Sequence, residues 1–198
     1  MLGFSDLDVG ITVGEFLMGC FFVAVVWRLF VGSTDRGADA LRRDGQTLTI
    51  TLADNFGVSA LVKKTVADIK TNDYIASTGL KGTDGKLHCV ELRIFPDALR
   101  GVAEGQLPWD AIPDSTMTNA TVTGITEATG NQLMKVSFKG TESEFVVGAE
   151  CQVFGYVPGD PSLLKPGAAI FTVAQKAADG VLTASRITAE KDGVKPQF

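Results

Sequence analysis

The segment Ala67-Asp-Ile-Lys-Thr-Asn-Asp-Tyr-Ile75 recurs 95 positions later as Ser162-Leu-Leu-Lys-Pro-Gly-Ala-Ala-Ile170. The same offset places Asp84-Gly-Lys-Leu87 over Asp179-Gly-Val-Leu182 without a gap. Each copy has the pattern of a short turn, a strand, an Asp-Gly hairpin turn and a return strand. The repeat therefore predicts two related small β-barrels or, alternatively, one pseudo-symmetric sandwich.

The chain on either side of this repeat is also rich in strand signals. The segment Thr47–Leu52 alternates polar and apolar side chains, as a half-buried strand does, and parts of Gln132–Phe138 and Val181–Thr188 do the same. Only residues 66–70 and 97–100 resemble single helical turns. A mainly β fold is therefore expected beyond the N-terminal region.

The two copies are unequal at their starts. The second copy has an additional hairpin, formed by Thr121–Ile125 and Gln132–Phe138, where the first has only the charged stretch Arg36–Asp44. We expect that an N-terminal anchor has replaced the first strand of the first copy, which would leave a sheet edge that something must cover.

That anchor is the apolar run 10–31, which is long enough as a helix to cross a bilayer. A signal peptide is the alternative, but the residues before the run carry Asp6 and Asp8 and no basic residue. The sequence therefore predicts a retained single-pass transmembrane helix. The predicted boundaries are an N-terminal tail 1–9, the helix 10–31, a basic linker 32–46, a β unit 47–95, an inter-unit loop 96–118 and a second β unit 119–198.

The flanks and one face of this helix carry the first candidate site residues. Trp27, Arg28 and Arg36 are predicted to form an interfacial anchor, because aromatic and basic side chains collect at membrane interfaces. Excess positive charge after the helix predicts a periplasmic N-terminus and a cytoplasmic C-terminal domain at a bacterial inner membrane, with a periplasmic C-terminal domain as the alternative. The residues predicted to contact a partner helix are Gly10, Gly14 and Glu15.

The loop 96–118 is too long for a simple connector and is a candidate docking loop. Glu104, Trp109 and Asp110 offer an aromatic surface and two carboxylates, with Asn119 close by in sequence. The alternative is structural, with Trp109 filling a groove between the two barrels.

The cysteines and the histidine give no metal-binding motif. His88 beside Cys89 lacks the spaced ligands that zinc requires. A disulfide bond between Cys89 and Cys151 is possible only if the domain lies in the periplasm.

The sequence also lacks catalytic motifs, so we expect no enzyme and no cofactor. It contains one histidine, no nucleophile elbow and no Gly-rich phosphate loop. The net charge of −5 and the pI near 4.9 argue against nucleic acid as a partner.

Several segments of the loop and the C-terminus resemble one family. They are Leu99-Arg-Gly101, Glu104-Gly105, Pro108-Trp-Asp110, Ser115–Val122, Leu182–Arg186 and Lys191–Pro196. Over about residues 47–198 the chain resembles an uncharacterised bacterial family of secreted, β-rich, OB-like repeat domains, which are often labelled as metal ABC transporter permeases. The resemblance implies two OB-like barrels and assigns no catalytic residues. The chain departs from the family by its anchor, which stands where a signal peptide and first strand would be.

The overall layout resembles a second family, the H subunit of purple-bacterial photosynthetic reaction centres. The shared features are an acidic N-terminal tail, one helix, an Arg-rich exit and a β-rich domain. These resemblances predict a non-catalytic accessory subunit that contacts the lipid bilayer and integral membrane subunits through its helix. A photosynthetic complex is the first expectation and a respiratory complex the next. The alternative is a membrane-tethered periplasmic module that binds a ligand or a metal.

Overall fold

The computed structural model describes residues 21–26, 29–34, 37–41, 47–109, 112–128 and 130–197, and these are mainly β. Short 3₁₀ turns at Val66–Asp68 and Asp97–Leu99 confirm the two predicted helical turns, and a third lies at Pro161–Leu163. The described strands are β1 (Phe21–Val26), β2 (Leu29–Thr34), β3 (Gly37–Leu41), β4 (Thr47–Lys64), β5 (Tyr74–Lys81), β6 (Leu87–Ile94), β7 (Gly105–Trp109), β8 (Ser115–Ala128), β9 (Asn131–Phe138), β10 (Thr141–Val147), β11 (Gln152–Pro158), β12 (Ile170–Lys176) and β13 (Leu182–Ala189).

Five of these strands close into a β-barrel, in the order β5, β6, β10, β9, β8 and back to β5. All neighbours in this ring are antiparallel except β6 and β10, which are parallel. The hairpin β5–β6 belongs to the first copy of the repeat, whereas β8, β9 and β10 belong to the second. The closed barrel is therefore built from both copies.

A second set of strands repeats this pattern of pairing with the roles of the copies reversed. β2 pairs with β3, β3 with β4, β4 lies parallel to β13, and β13 pairs with β12, which pairs with β1. Here the hairpin β12–β13 comes from the second copy and the other strands come from the first. The two copies therefore exchange their hairpins, and the strand pairing crosses the boundaries predicted at 47–95 and 119–198.

The registers of the two sets are related by the offset of the repeat. Phe145 pairs with Leu87 in the closed barrel, and Ile50 pairs with Leu182 in the second set. The long strand β4 also reaches beyond its own set, because its second half pairs antiparallel with β11. These pairings join the two sets along a pseudo-symmetric seam.

Each set encloses its own apolar core, as the alternation of the strands requires. Leu92, Met134 and Phe145 are fully buried in the closed barrel. Ile50 and Ile187 are buried in the second core, which also contains Ala40, Ile170 and Ala184.

The helix predicted over 10–31 needs correction where the structure describes it. Residues Phe21–Val26 form β1 and residues Leu29–Thr34 form β2, so this part of the run is extended. The composition explains the outcome, because Phe and Val favour strands and β1 gains a full antiparallel pairing with β12. Among the described residues, no helix has both the length and the apolar character needed to span a bilayer. Residues 10–20 lie outside the described part of the chain.

The stretch Arg36–Asp44, predicted as a charged linker without a strand, contains β3. Ala40 is buried in the second core, while the adjacent Asp39 accepts a hydrogen bond from Thr49 on β4. Alternation of a small apolar and a polar residue thus makes a half-buried strand here. The first copy therefore has strands before β4, and the edge that we expected to be uncovered is occupied by them.

Cys89 on β6 and Cys151 after β10 form a disulfide bond, with Cα atoms 5.3 Å apart. It ties the hairpin of the first copy to strands of the second. The offset of the repeat places Ala184 and Phe56 at the equivalent positions in the second set, where they pack in its core. The covalent link is therefore present in one set and replaced by apolar packing in the other.

Removing this bond with the double substitution Cys89→Ala/Cys151→Ala is expected to lower the free energy of unfolding by about 4 kcal/mol, because the bond closes a loop across 62 residues of the unfolded chain. Urea denaturation followed by tryptophan fluorescence measures the change. The control is reduction with dithiothreitol, which should lower the urea midpoint of the wild type and leave that of the double variant unchanged. A double variant as stable as the wild type would contradict a stabilising disulfide bond between Cys89 and Cys151.

Candidate functional site

The predicted docking loop is an ordered part of the structure where it is described. Its strand β7 pairs antiparallel with the first half of β8, from Gly105 opposite Asn119 to Trp109 opposite Ser115. The other side of that half of β8 pairs with β5 in the barrel. β7 is therefore an additional strand attached to the outside of the closed ring.

Hydrogen bonds from the barrel hold the first part of the loop in place. The Tyr74 hydroxyl donates to the Val102 carbonyl at 2.9 Å, and the Asn119 side-chain amide donates to the Ala103 carbonyl at 3.1 Å. The Arg100 guanidinium donates to the Asn72 carbonyl at 3.0 Å. The backbone therefore has one defined path across the barrel surface.

Glu104 and Asn119, both singled out from the sequence, have anchoring roles in this arrangement. The Glu104 carboxylate accepts a hydrogen bond from the backbone N–H of Lys139, in the turn between β9 and β10, at 3.0 Å. Asn119 is buried and faces the loop. Both side chains fix the loop to the barrel.

Trp109, at the end of β7, contacts the other set of strands. Its ring centroid lies 6.5 Å from that of Phe171 on β12, with the two planes tilted by 57°. This contact joins β7 to the second set of strands. The Trp109 indole N–H is buried and has no acceptor among the described residues. Asp110 lies outside the described part of the chain.

A buried ion pair lies next to this contact. Glu91 and Arg93 are two residues apart on β6, and the Arg93 Nε donates to the Glu91 carboxylate at 2.5 Å. Their side chains are only 4% and 6% exposed. Burial raises the pKa of the Glu91 carboxyl, and the guanidinium of Arg93 opposes that rise.

Arg93 also contacts aromatic rings of two other strands, β11 and β12. Its Nη1 donates to the Tyr156 hydroxyl at 3.2 Å, and its guanidinium carbon lies 5.0 Å from the Phe171 ring centroid. The Tyr156 ring stacks on Phe95 with centroids 5.0 Å apart. Arg93 Nη2 is buried and has no acceptor among the described residues. We call Glu91, Arg93, Phe95, Trp109, Tyr156 and Phe171 the junction cluster.

The junction cluster has no counterpart at the repeat-related positions. Arg186 and Thr188 stand where the offset places Glu91 and Arg93, and the Thr188 hydroxyl lies 3.1 Å from that of Ser59. Sequence reasoning missed the ion pair, because alternating charges on a strand normally indicate a solvated face.

The remaining residues singled out from the sequence are His88 and a group in the N-terminal region. His88 on β6 makes a hydrogen bond with Asp84, which lowers the pKa of that carboxyl. Within the described ranges, no three His, Cys, Asp or Glu side chains lie together as a possible metal site. The others lie outside the described residues: Gly10, Gly14, Glu15, Trp27, Arg28 and Arg36.

The fold and the site define a disulfide-linked β-barrel protein in which two repeat copies exchange hairpins. Comparison of the chain with protein-family models, with curated proteins and with solved structures gave no match. The resemblances noted in the sequence, to OB-like repeat domains and to a reaction-centre subunit, therefore stay predictions.

A double-mutant cycle tests whether the buried ion pair is a structural element. Arg93→Met is expected to destabilise the fold by about 3–5 kcal/mol, because it leaves the Glu91 carboxylate buried without its cation. Glu91→Leu/Arg93→Met should regain most of that loss, since it removes both charges. The exposed Arg186→Met, at the equivalent position to Glu91, should shift stability by less than about 0.5 kcal/mol. The losses of stability are measured by thermal unfolding. If the loss in the double variant equals the sum of the losses in Glu91→Leu and Arg93→Met, the two side chains are not coupled.

Tyr74→Phe tests the anchoring of the loop through its pH dependence. Burial, aided by the Glu104 carboxylate, raises the pKa of the Tyr74 hydroxyl from 10.0 to about 12 in the folded protein. The neutral Tyr74 hydroxyl therefore contributes fully to the stability of the fold below pH 10, and this contribution is lost as the pH rises from 10 towards 12. The variant should be about 1 kcal/mol less stable at neutral pH, through loss of the bond to Val102, and should lose stability less steeply above pH 10. Parallel stability curves for both proteins would contradict this.

Proposed function

We propose that this chain is a non-catalytic accessory protein that docks a partner protein through β7 and the loop that carries it. The observation that carries the proposal is the extra strand β7, which lies outside the closed ring and is paired on one side only among the described residues. The barrel closes without β7, so fixing it there serves something other than closure.

The exposed side chains of β7 suit contact with another protein. Leu107 is 38% exposed, and it is one of few large apolar side chains that the described residues present to solvent. The neighbouring Gln106 is held by the Thr118 hydroxyl at 2.9 Å. An ordered apolar side chain on a fixed strand binds a partner at little cost in conformational entropy.

Pro108 restricts how the partner binds. A proline has no backbone N–H, and prolines on edge strands discourage the addition of another strand. The partner is therefore expected to contact the side chains of Leu107 and Pro108. It is not expected to pair with the backbone of β7 as a further strand.

The disulfide bond supports a location in an oxidising compartment. Bonds of this kind persist in the periplasm and in secreted proteins, whereas the cytosol keeps thiols reduced. This favours the periplasmic alternative for the β domain over the cytoplasmic expectation. The closed five-stranded barrel, in which β6 and β10 form the one parallel pair, also agrees with the OB-like architecture that the family resemblance implied.

The more specific expectation of a photosynthetic complex has lost its support. It depended on a layout with a helix over 10–31, and the described part of that run is extended. We retain an accessory role and leave the identity of the partner to experiment.

Site-specific photo-crosslinking in intact cells tests the docking surface. A photoreactive amino acid at Leu107 is expected to give one discrete crosslinked product with a partner protein. Val181 is the matched control, because it is an apolar residue of similar exposure, 45% against 38%, just before β13. Equal crosslinking from both positions, or none from position 107, would contradict the proposal.

A further inference from the structure

The two exchanged hairpins, β5–β6 and β12–β13, dock in equivalent positions. Each return strand pairs in parallel with the other copy at the repeat-related register, with Leu87 opposite Phe145 in the closed barrel and Leu182 opposite Ile50 in the second set. A hairpin that docked on its own copy would meet strands of the same pattern. Misassembly between equivalent elements is a characteristic failure of repeat proteins. The exchange therefore requires residues that distinguish the two docking positions.

The core-facing side chains of the return strands β6 and β13 distinguish the positions poorly. Leu92 of β6 corresponds to Ile187 of β13, and both are fully buried. Swaps between leucine and isoleucine are usually tolerated in a core, so either strand would suit either core at this position. The outward-facing neighbours differ in charge, because Glu91 corresponds to Arg186. Discrimination between the hairpins is therefore expected at the outward positions.

The outward positions also differ in burial. Glu91 is buried and paired with Arg93, whereas Arg186 is exposed. If β13 took the place of β6, the Arg186 guanidinium would be buried at the position of Glu91. Thr188 would stand where Arg93 does, and it brings no carboxylate. A buried charge without its partner is strongly destabilising, so this docking is disfavoured.

The reverse misplacement is unfavourable for a similar reason. If β6 took the place of β13, Arg93 would occupy the buried position of Thr188. Leu61 on β4 stands where the offset of the repeat places Tyr156, so the Arg93 guanidinium would lose the hydroxyl to which it donates. A buried guanidinium that loses a hydrogen-bond acceptor is costly.

We propose that the Glu91–Arg93 pair is a specificity device for strand pairing, which makes the position beside β10 and β11 selective for the hairpin β5–β6. A buried ion pair need not add to stability, and fixing register or partner choice is the best-attested use of buried polar groups. The pair thereby enforces the exchange of hairpins between the copies. This inference is independent of the docking surface on β7, so each can fail without the other.

Refolding under oxidising conditions measures where the hairpins dock. The Cys89–Cys151 bond forms only in chains in which β5–β6 completes the closed barrel. The full chain is reduced, unfolded in urea and refolded in a glutathione redox buffer, and its free thiols are then alkylated. Mass spectrometry of the digested protein gives the fraction of chains that contain the bond, and nearly all wild-type chains should contain it.

Glu91→Arg/Arg93→Thr gives β6 the residues that β13 has at these two positions. The linked fraction should fall about tenfold, because a guanidinium buried at position 91 disfavours docking in the closed barrel. The unlinked chains should still unfold cooperatively in urea, since their hairpins pair with their own copies. Leu92→Ala is the matched control, because it destabilises the same strand without changing its charges, and it should keep the linked fraction of the wild type.

A second variant also moves the pair to the other hairpin: Glu91→Arg/Arg93→Thr/Arg186→Glu/Thr188→Arg. It should fold cooperatively with Cys89 unlinked, because each hairpin then suits the docking position on its own copy. The proposal is overturned if the linked fraction of this variant equals that of the wild type, or if its unlinked chains do not unfold cooperatively. It is also overturned if Leu92→Ala lowers the linked fraction as much as Glu91→Arg/Arg93→Thr.

Discussion

The exchange of hairpins between the two copies is the constraint on which the rest of the structure depends. β8, β9 and β10 close into a barrel only because β5 and β6 of the other copy complete the ring. The same exchange places β12 and β13 of the second copy against β4 and β1 of the first. Each core is therefore assembled from segments far apart in sequence, and neither copy can bury its apolar face alone. Folding through such distant contacts is intrinsically slow, because loop closure precedes any gain from pairing.

The strand β6 connects the closed barrel with the second set of strands. It pairs with β5, with β10 and with β11, and so it belongs to both the closed barrel and the seam between the sets. It also carries Cys89, Glu91 and Arg93. The disulfide bond fixes β6 to the chain after β10, and the ion pair lies beside the aromatic contact with β12. The equivalent strand β13 has Ala184, Arg186 and Thr188 at these positions, so the pseudo-symmetric copies have diverged where the sets meet.

The sequence allowed the strands to be predicted far better than their partners. The repeat identified the hairpins β5–β6 and β12–β13, since Asp-Gly turns and alternation are local signals. It did not reveal the exchange, because an offset between copies shows which strands are equivalent and not which strands pair. The length of the run containing Phe21–Val26 predicts a helix, although a continuous apolar run fits a buried strand equally well. Glu91 and Arg93 were overlooked because burial of a charged pair depends on the tertiary contacts of Tyr156 and Phe171.

The candidate functional residues were predictable to a different degree in each region. The length and composition of the loop point to Glu104, Trp109 and Asn119 as docking candidates, and the structure gives all three contacts that fix β7 and the junction. Leu107, which is exposed, was passed over because an isolated leucine in a loop has no distinguishing pattern. In a protein whose interior is made from two copies, the residues free to contact other molecules are those that neither core requires, and Leu107 on β7 meets that condition.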